Sequence, residues 1–221
     1  MPAPLHDTLS ALAQALVARG WMMATAESCT GGLIAAACTD LPGSSRWLER
    51  GFVTYSNAAK TELLGVPAEL IAQHGAVSEP VARAMAAGAA RHAPVQASVA
   101  VTGVAGPDGG SADKPVGTVW FGWSVQGELH TACLRFAGDR AAVRQQTRDH
   151  ALQQLLDAAP VAEQQDIRVE SRYSPQPAST RWNGQPGSVL WELALPPGTT
   201  QQISTEHRIS WPQDMRLRER R

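Results

Sequence analysis

Ser28 is the side chain of this 221-residue chain best placed by its neighbours for nucleophilic chemistry. It follows an apolar run, Trp21 to Ala26, that predicts a buried strand, and small residues then lead into a run, Leu33 to Ala37, that predicts a helix. Amide groups at a helix start are unpaired, so they could hold an anion or a developing oxyanion beside this serine. The alternative interpretation is a serine that merely caps the helix.

Lys60 is the residue that could activate Ser28. A helix predicted to begin at Ser56 or Asn57 places Lys60 close to its first turn, where the helix dipole disfavours a cation. A positive field and partial burial lower the pKa of an amine and make it usable as a base, and Ser–Lys pairs are an established form of activated nucleophile. A solvent-exposed helix lysine is the alternative.

The lysine content supports a special role for this position. Lys60 and Lys114 are the only lysines among the 19 basic residues, and each lies in a loop-rich, motif-like stretch. Arginine cannot lose its proton, whereas lysine can. The choice of lysine therefore suggests that an amine is needed at these two positions.

Two further polar residues end predicted strands near the same edge of the sheet. Tyr55 could relay a proton or orient the amine of Lys60, and Thr102 could help to hold an oxyanion, because sites in α/β sheets form at the carboxyl ends of strands. Tyr55 could also be an ordinary half-buried strand tyrosine. After Thr102 comes a glycine-rich loop over 103–117, which predicts an anion-binding nest of backbone amides or, alternatively, a plain mobile loop.

The elements that must position these residues alternate along the chain. Strands and helices alternate up to a helix capped by Ser78, and a last pair of strands reads as a hairpin across Gln126-Gly127. This order predicts an α/β fold, a three-layer α/β/α sandwich with a mixed sheet. The predicted strands are 21–26, 51–55, 98–102, 118–125 and 129–136, and the predicted helices are 4–19, 30–39, 56–64, 70–74, 78–92 and 139–158.

Composition limits the classes of function. A hydrophobic content of 43% with 18% charged residues is typical of a globular domain with a core, and the net charge of −1 argues against a nucleic-acid-binding surface. No apolar stretch is long enough to span a bilayer, and the N-terminus does not have the pattern of a signal peptide. Three cysteines without metal-ligand spacing predict reduced thiols and a cytoplasmic protein.

The composition changes after Pro160. Residues 161–187 include a stretch rich in Ser, Pro, Gln and Gly, which predicts a linker. Residues 188–221 then predict a hairpin-like tail, with one strand over Val189–Leu195 and a return strand over Ile203–Trp211. We therefore expect a short C-terminal extension that is β-rich or partly disordered.

A linked set of motifs over about residues 5–158 resembles the competence-damage-inducible (CinA) C-terminal family. The motifs occur in the family's order and together are highly specific. Residues 161–221 fall outside this resemblance, and Val169–Leu217 is instead weakly similar to the end of mucoidy-inhibitor-A-like β-rich proteins. The motifs are Thr25-Ala-Glu-Ser-Cys-Thr-Gly-Gly32, Gly51-Phe-Val-Thr-Tyr-Ser-Asn-Ala-Ala-Lys60, Gly75-Ala-Val-Ser78, Thr102-Gly-Val-Ala-Gly-Pro-Asp-Gly-Gly110, Lys114-Pro-Val-Gly-Thr-Val119, and Gly138-Asp-Arg140 with Arg144.

The resemblance implies an amidohydrolase domain over residues 1–160. Family members hydrolyse the carboxamide of nicotinamide mononucleotide to nicotinate mononucleotide and ammonia. The resemblance also implies a homo-oligomer without a metal requirement. We expect no cofactor, no nucleic-acid partner and no membrane. A catalytically silent nucleotide-binding regulatory module is the alternative function.

The expected site has a catalytic and a substrate-binding part. Ser28 is the expected nucleophile, Lys60 its base, Tyr55 an orienting or relaying group and Thr102 a helper of the oxyanion. The residues expected to bind substrate, with the phosphate held by the glycine-rich loop and Arg140, are Glu27, Cys29, Thr30, Gly31, Gly103, Ala105, Gly106, Gly109, Gly110, Lys114 and Arg140.

Overall fold

A five-stranded mixed sheet forms the centre of the first of two units. The computed structural model describes residues 5–158, 168–175, 178 and 202–210. The chain divides into one unit over Met1–Ala162 and another over Glu163–Arg221. In the first unit the elements are α1 (Leu5–Ala18), β1 (Met23–Glu27), α2 (Leu33–Thr39), β2 (Leu48–Val53), α3 (Asn57–Leu64), α4 (Ala68–His74), α5 (Glu79–His92), β3 (Ala97–Gly103), β4 (Thr118–Val125), β5 (Glu128–Arg135) and α6 (Arg140–Ala158).

The sheet order places the ends of β1 and β3 side by side at its centre. The strands run in the order β2-β1-β3-β4-β5; β1 pairs in parallel with β2 and β3, and the last three strands are antiparallel neighbours. The carboxyl ends of β2, β1 and β3 therefore meet at one edge. The loops that follow these three strands contain Ser28, Tyr55 and the glycine-rich segment, which is why they converge.

Two apolar cores cover the two faces of the sheet. In β3, Val99 and Val101 pack with residues of α1, α2 and α6, whereas Ala100 packs with residues of α3, α4 and α5. This two-residue alternation is what a strand buried on both faces requires. The predicted α/β/α sandwich with a mixed sheet is confirmed.

Close packing of α3 on α5 fixes the helix that carries Lys60. Gly88 of α5 lies so near the end of α3 that a Cβ atom there would be 2.2 Å from the carbonyl oxygen of Leu64. Arg91, one turn later, donates a hydrogen bond to the same carbonyl at 3.2 Å. The C-terminus of α3 is thus anchored against α5, and α3 has little freedom to move away from the sheet.

Element boundaries differ from the predictions at the start of α2. The helix begins at Leu33 and not near residue 30, and Gly32 precedes it with a φ of 94°, a conformation that favours glycine. Ser28 therefore lies in a separate turn ahead of the helix and does not cap it. No helix among the residues that the structure describes is long and apolar enough to span a membrane.

The second unit contains two paired strands. β6 (Arg168–Ser174) and β7 (Ser204–Ser210) are antiparallel, with Arg168 opposite Ser210 and Ser174 opposite Ser204. β7 falls within the predicted return strand, but its partner is β6, which lies in the stretch predicted to be a linker. That prediction rested on the Ser, Pro and Gln content, which hid the alternating Val169 and Tyr173. The predicted strand Val189–Leu195 lies outside the described residues.

Candidate active site

Ser28 and Lys60 are in contact although 32 positions separate them in the chain. The Nζ atom of Lys60 lies 3.0 Å from Ser28 Oγ. It also donates to the backbone carbonyl of Thr54 at 2.9 Å and approaches that of Tyr55 at 3.4 Å. Lys60 is 1% exposed and Ser28 is also buried. The site therefore consists of a buried amine held against a buried hydroxyl.

The surroundings of Lys60 favour its neutral form. Burial lowers the pKa of Lys60, because desolvation penalises the charged amine. Among the described residues, no carboxylate forms an ion pair with it. A neutral amine has two N–H groups and one lone pair, and two carbonyls plus one hydroxyl match that set. When Lys60 is protonated, its three N–H groups donate to Ser28 Oγ and to the carbonyls of Thr54 and Tyr55. In the neutral amine the lone pair can take the position that faces Ser28 and accept the hydroxyl proton.

Glu27 caps α2, the helix that follows the turn formed by residues 28–31, which we call the nucleophile turn. Its carboxylate accepts hydrogen bonds from the amides of Gly32 (3.1 Å), Ile34 (2.9 Å) and Ala35 (2.8 Å), and from the hydroxyl of Thr25 (3.1 Å). These amides are the ones that the sequence analysis assigned to an oxyanion or an anion at the helix start. They are already occupied, and Glu27 is fully buried behind the site, so the structure does not place it against the substrate.

The turn between Ser28 and the helix supplies other amides. The Gly31 amide donates to the Ser28 carbonyl at 3.2 Å, which closes a tight turn with Cys29 and Thr30 at its centre. Within the described part of the chain, the amides of Cys29 and Thr30 have no backbone carbonyl partner. The potential oxyanion donors are therefore these two groups, which lie directly after Ser28 and ahead of α2.

A cavity of about 310 Å³ opens over the Ser28–Lys60 pair. Its volume is within the range of small-molecule sites. One wall comes from the turn after β1 and from α3, another from the glycine-rich loop after β3, and Arg140 at the start of α6 lies between them. The lining residues are Ser28, Cys29, Tyr55, Asn57, Lys60, Ala76, Val77, Thr102, Gly103, Val104, Ala105, Gly106, Asp108, Gly109 and Arg140.

Arg140 links the two rims of this cavity. Its guanidinium donates to the carbonyl of Gly106 at 2.8 Å and to the hydroxyl of Tyr55 at 3.2 Å. The other possibility for a surface arginine, an ion pair with Asp139 or a nearby carboxylate, does not occur within the described residues. Asp139 instead caps α6 through the Ala142 amide at 2.8 Å. Arg140 thus brings an uncompensated positive charge to the cavity.

The phenol of Tyr55 lies with Arg140 and not with the Ser–Lys pair. Tyr55 is 63% exposed, and the contact that it makes to Lys60 is through its backbone carbonyl. The sequence predicts that the phenol relays a proton or orients the amine. In the structure the main-chain carbonyl of Tyr55 makes the contact that orients the amine. The Tyr55 side chain, just after the exposed end of β2, points away from the buried amine.

Thr102 and Cys29 line the cavity in different roles from those expected. The Thr102 hydroxyl donates to the carbonyl of Ala76 at 2.8 Å, so its proton is not available to an oxyanion in this arrangement. Burial raises the pKa of the Cys29 thiol to about 12, which keeps the thiol protonated. Because the thiolate is the nucleophilic form of cysteine, Cys29 is a poor competitor to Ser28.

Several expected substrate-binding residues lie outside the cavity. Lys114 donates to the carbonyl of His74 at 3.0 Å, at the C-terminal end of α4, where a cation is favoured by the helix dipole. Thr30 and Gly31 belong to the nucleophile turn, and neither they nor Gly110 line the cavity. Five lining residues were not identified from the sequence, which are Asn57, Ala76, Val77, Val104 and Asp108. All five stand inside the quoted motifs, so motif membership was the signal that could have found them.

Among the residues that the structure describes, no three His, Cys, Asp or Glu side chains come together as they would around a metal ion. The three cysteines are free.

Comparison with known proteins shows the family of this chain. The family model described as the CinA C-terminal domain matches residues 6–159. The chain belongs to the CinA C-terminal domain family. A relative from Enterobacter agglomerans named nicotinamide-nucleotide amidohydrolase PncC is 56% identical over 69% of this chain and 93% of its own length. A protein of the same name from Escherichia coli K12 is 57% identical over 64% of this chain and 87% of its own length.

Solved structures of the family share this fold. The competence/damage inducible protein CihA from Agrobacterium tumefaciens aligns with a TM-score of 0.69 and 42% identity, over 72% of this chain and 97% of its own. A CinA superfamily protein from Klebsiella pneumoniae aligns with a TM-score of 0.68 and 40% identity, over 71% and 98% of the two chains. A second family model, a domain of unknown function (DUF4139), matches residues 139–213 and so overlaps α6.

Proposed function

We propose that this protein is a nicotinamide-nucleotide amidohydrolase, which converts nicotinamide mononucleotide to nicotinate mononucleotide and ammonia. The observation that carries the proposal is the buried Lys60 amine, 3.0 Å from Ser28 Oγ, at the floor of a cavity that Arg140 and a glycine-rich loop complete. Relatives more than half identical to this chain carry the name of that activity. The geometry offers a nucleophile, a base and an anion site in one cavity.

Substrate orientation follows from the charges of the cavity. The phosphate is placed against Arg140 and the loop 105–110, where the amides of Ala105, Gly106 and Gly109 have no backbone acceptor in the described part of the chain. Arg140 is held by Gly106 and Tyr55, so it is pre-positioned for an anion. The nicotinamide ring then extends toward Ser28, with its carboxamide over the nucleophile turn.

The chemical step is acyl transfer to Ser28. Neutral Lys60 takes the hydroxyl proton as Ser28 Oγ forms a bond to the carboxamide carbon, and the amides of Cys29 and Thr30 hold the resulting oxyanion. The carbon–nitrogen bond then breaks, and protonated Lys60 gives its proton to the departing ammonia. Water hydrolyses the ester by the reverse sequence, with Lys60 again as base, and Ser28 is regenerated.

The alternative of a silent nucleotide-binding module is less consistent with the site. A binding protein has no need for a buried, uncompensated amine, since burial of an unpaired cation costs stability. Burial of an amine is nevertheless common at catalytic positions, because it shifts the pKa of the amine toward the pH at which the enzyme works.

Two finer features belong to the same proposal. The enzyme works as a homo-oligomer, as the family resemblance implies, and it is cytoplasmic. Free thiols at Cys29, Cys38 and Cys133 are consistent with a reducing compartment.

Product analysis tests the proposed activity. Purified protein with nicotinamide mononucleotide is expected to release ammonia and nicotinate mononucleotide in equal amounts. Free nicotinamide, which has the carboxamide but no phosphate, should be turned over at least about 100-fold less efficiently, because it cannot use the phosphate contacts. Binding of the nucleotide without ammonia release would favour the silent module.

A further inference from the structure

Arg144 connects α6 to the nucleophile turn. It lies one helical turn after Arg140, on the same side of α6. Its Nη2 atom donates to the Thr30 carbonyl at 2.6 Å, across 114 positions of sequence. Within the described residues Arg144 has no carboxylate partner, so its recorded polar contact is this one carbonyl. Because this half-buried arginine contacts a single carbonyl of the nucleophile turn, we expect its function to lie in the geometry of that turn.

The bond fixes one particular peptide group. The carbonyl of Thr30 and the amide of Gly31 belong to the same peptide plane. The carbonyl accepts from Arg144, and the amide donates to the Ser28 carbonyl at 3.2 Å. A peptide plane held at both ends cannot rotate freely. Its rotation would break the Gly31–Ser28 bond that closes the turn, and the amides of Cys29 and Thr30 at the centre of the turn would then lose their fixed orientation.

Other contacts hold the two ends of the turn. The Ser28 amide is held by the Val101 carbonyl at 3.0 Å, and the Gly32 amide by Glu27 at 3.1 Å, so both ends of the segment are fixed. Between them the Thr30 hydroxyl is buried without a hydrogen-bond partner in the structure. The closure of the turn that contains the Cys29 and Thr30 amides therefore depends on the Thr30–Gly31 peptide, which Arg144 holds.

We propose that Arg144 is a positioning residue of the amidase reaction, which holds the Thr30–Gly31 peptide so that the Cys29 and Thr30 amides face the oxyanion. This inference rests on the proposed function. It gives α6 two separate tasks, since Arg140 serves the phosphate end of the cavity and Arg144 serves the reacting end. Arg144 itself does not line the cavity.

The two tasks predict different kinetic effects. A ground-state contact such as that of Arg140 affects mainly KM, whereas a group that orients oxyanion donors affects mainly kcat, because the oxyanion exists only beyond the ground state. Removal of one oxyanion donor costs about 100- to 1000-fold in kcat. Misorientation is milder, so Arg144→Met is expected to lower kcat by about 10- to 100-fold, with KM changed by less than about threefold.

Three variants test the proposal, first through their steady-state kinetics. Arg144→Lys, which keeps one donor and the charge, should recover most of the turnover that Arg144→Met loses. Arg148→Met is the matched control on the same helix, because the partner of Arg148 is Asp149 and not the Thr30 carbonyl, and it should behave as wild type. The pH dependence of kcat should keep its midpoint in Arg144→Met, since the contacts of Lys60 are untouched. Equal melting temperatures exclude a general folding defect.

A second readout separates this inference from the proposed function. A fluorophosphonate forms a bond from Ser28 Oγ to phosphorus as the phosphorus–fluorine bond breaks; fluoride leaves and Lys60 takes the hydroxyl proton. The tetrahedral adduct needs the same oxyanion donors. Slower labelling of Arg144→Met, rescued by Arg144→Lys, supports the inference even if wild type releases no ammonia from nicotinamide mononucleotide, which would refute the function alone. Wild-type kcat and labelling in a folded Arg144→Met, or a change confined to KM, would overturn the inference. Should Arg144→Met fail to fold, the same comparison applies to Arg144→Lys and Arg144→Gln.

Discussion

Glu27→Gln is expected to destabilise the first unit strongly although it changes a single atom. The carboxylate of Glu27 accepts four hydrogen bonds, three of them from the backbone amides at the start of α2. In the least costly orientation, the new amide nitrogen faces Thr25 and Ala35. The Thr25 hydroxyl can then reverse and accept, but the partly buried Ala35 amide meets another donor and loses its partner.

The size of the effect follows from these contacts. One buried amide without a partner costs about 1–3 kcal/mol. The bonds to Gly32 and Ile34 change from charge-assisted to neutral, which weakens each by about 1 kcal/mol. Relief from burying a charge offsets part of this loss. We expect the free energy of unfolding to fall by about 3 kcal/mol, a large share of the 5–15 kcal/mol typical of a domain.

Urea denaturation and thermal melting measure this prediction. A loss of about 3 kcal/mol corresponds to a fall in Tm of about 6–12 °C for a chain of this size. Glu62→Gln is the matched control, because Glu62 is exposed on α3, and surface substitutions of this kind change stability by less than about 0.5 kcal/mol. A Glu27→Gln protein within about 1 kcal/mol of wild type would refute the assignment of Glu27 to helix capping.

Three other predictions concern the base, the phosphate site and the second unit. Turnover should rise with pH through the lowered pKa of Lys60, because only the neutral amine is a base, and Lys60→Arg should be inactive across that range in a pH–rate profile. Arg140→Ala should raise KM by about 10-fold or more with a smaller change in kcat, whereas Lys114→Met, which loses a contact to the His74 carbonyl, should leave KM within about threefold in the same steady-state assay. A shortened chain that ends at Ala162 should keep the kcat/KM and the cooperative melting of the first unit, since β6 and β7 belong to the other unit.

Clear results would contradict each of these three. A pH-independent rate, or an active Lys60→Arg, would remove the amine from the role of base. An unchanged KM in Arg140→Ala together with a raised KM in Lys114→Met would transfer the phosphate to Lys114. Loss of cooperative melting in the shortened chain would mean that the first unit depends on the second for its stability.

Local patterns were sufficient to predict the sandwich and the pairing of Ser28 with Lys60. Alternating apolar strands and amphipathic helices indicate the layers, and parallel strands bring their carboxyl ends together. Ser28 and Lys60 follow two neighbouring strands, so their meeting at 3.0 Å is a consequence of topology that sequence reasoning can reach.

Backbone contacts were what the sequence could not reveal. The carbonyl of Tyr55, and not its phenol, contacts Lys60, and every residue has a carbonyl, so residue type carries no signal. The capping role of Glu27 depends on contacts five to eight positions ahead, across two glycines with positive φ. The hydrogen bond from Lys114 to the His74 carbonyl at the end of α4 likewise depends on the path of the glycine-rich loop that contains Lys114. In each case the chemistry of the side chain was clear and its partner was decided by the path of the main chain.

The dependence of ammonia release on Ser28 and Lys60 tests the central claim most directly. We would measure kcat for Ser28→Ala, Lys60→Met and the double variant, with Ser45→Ala, an exposed serine, as the control. Because the pair acts as a unit, each single variant should lose about three orders of magnitude or more, and the double variant little beyond that. Ser28→Ala with most of its turnover retained, or losses that multiply in the double variant, would contradict a Ser28 nucleophile activated by Lys60.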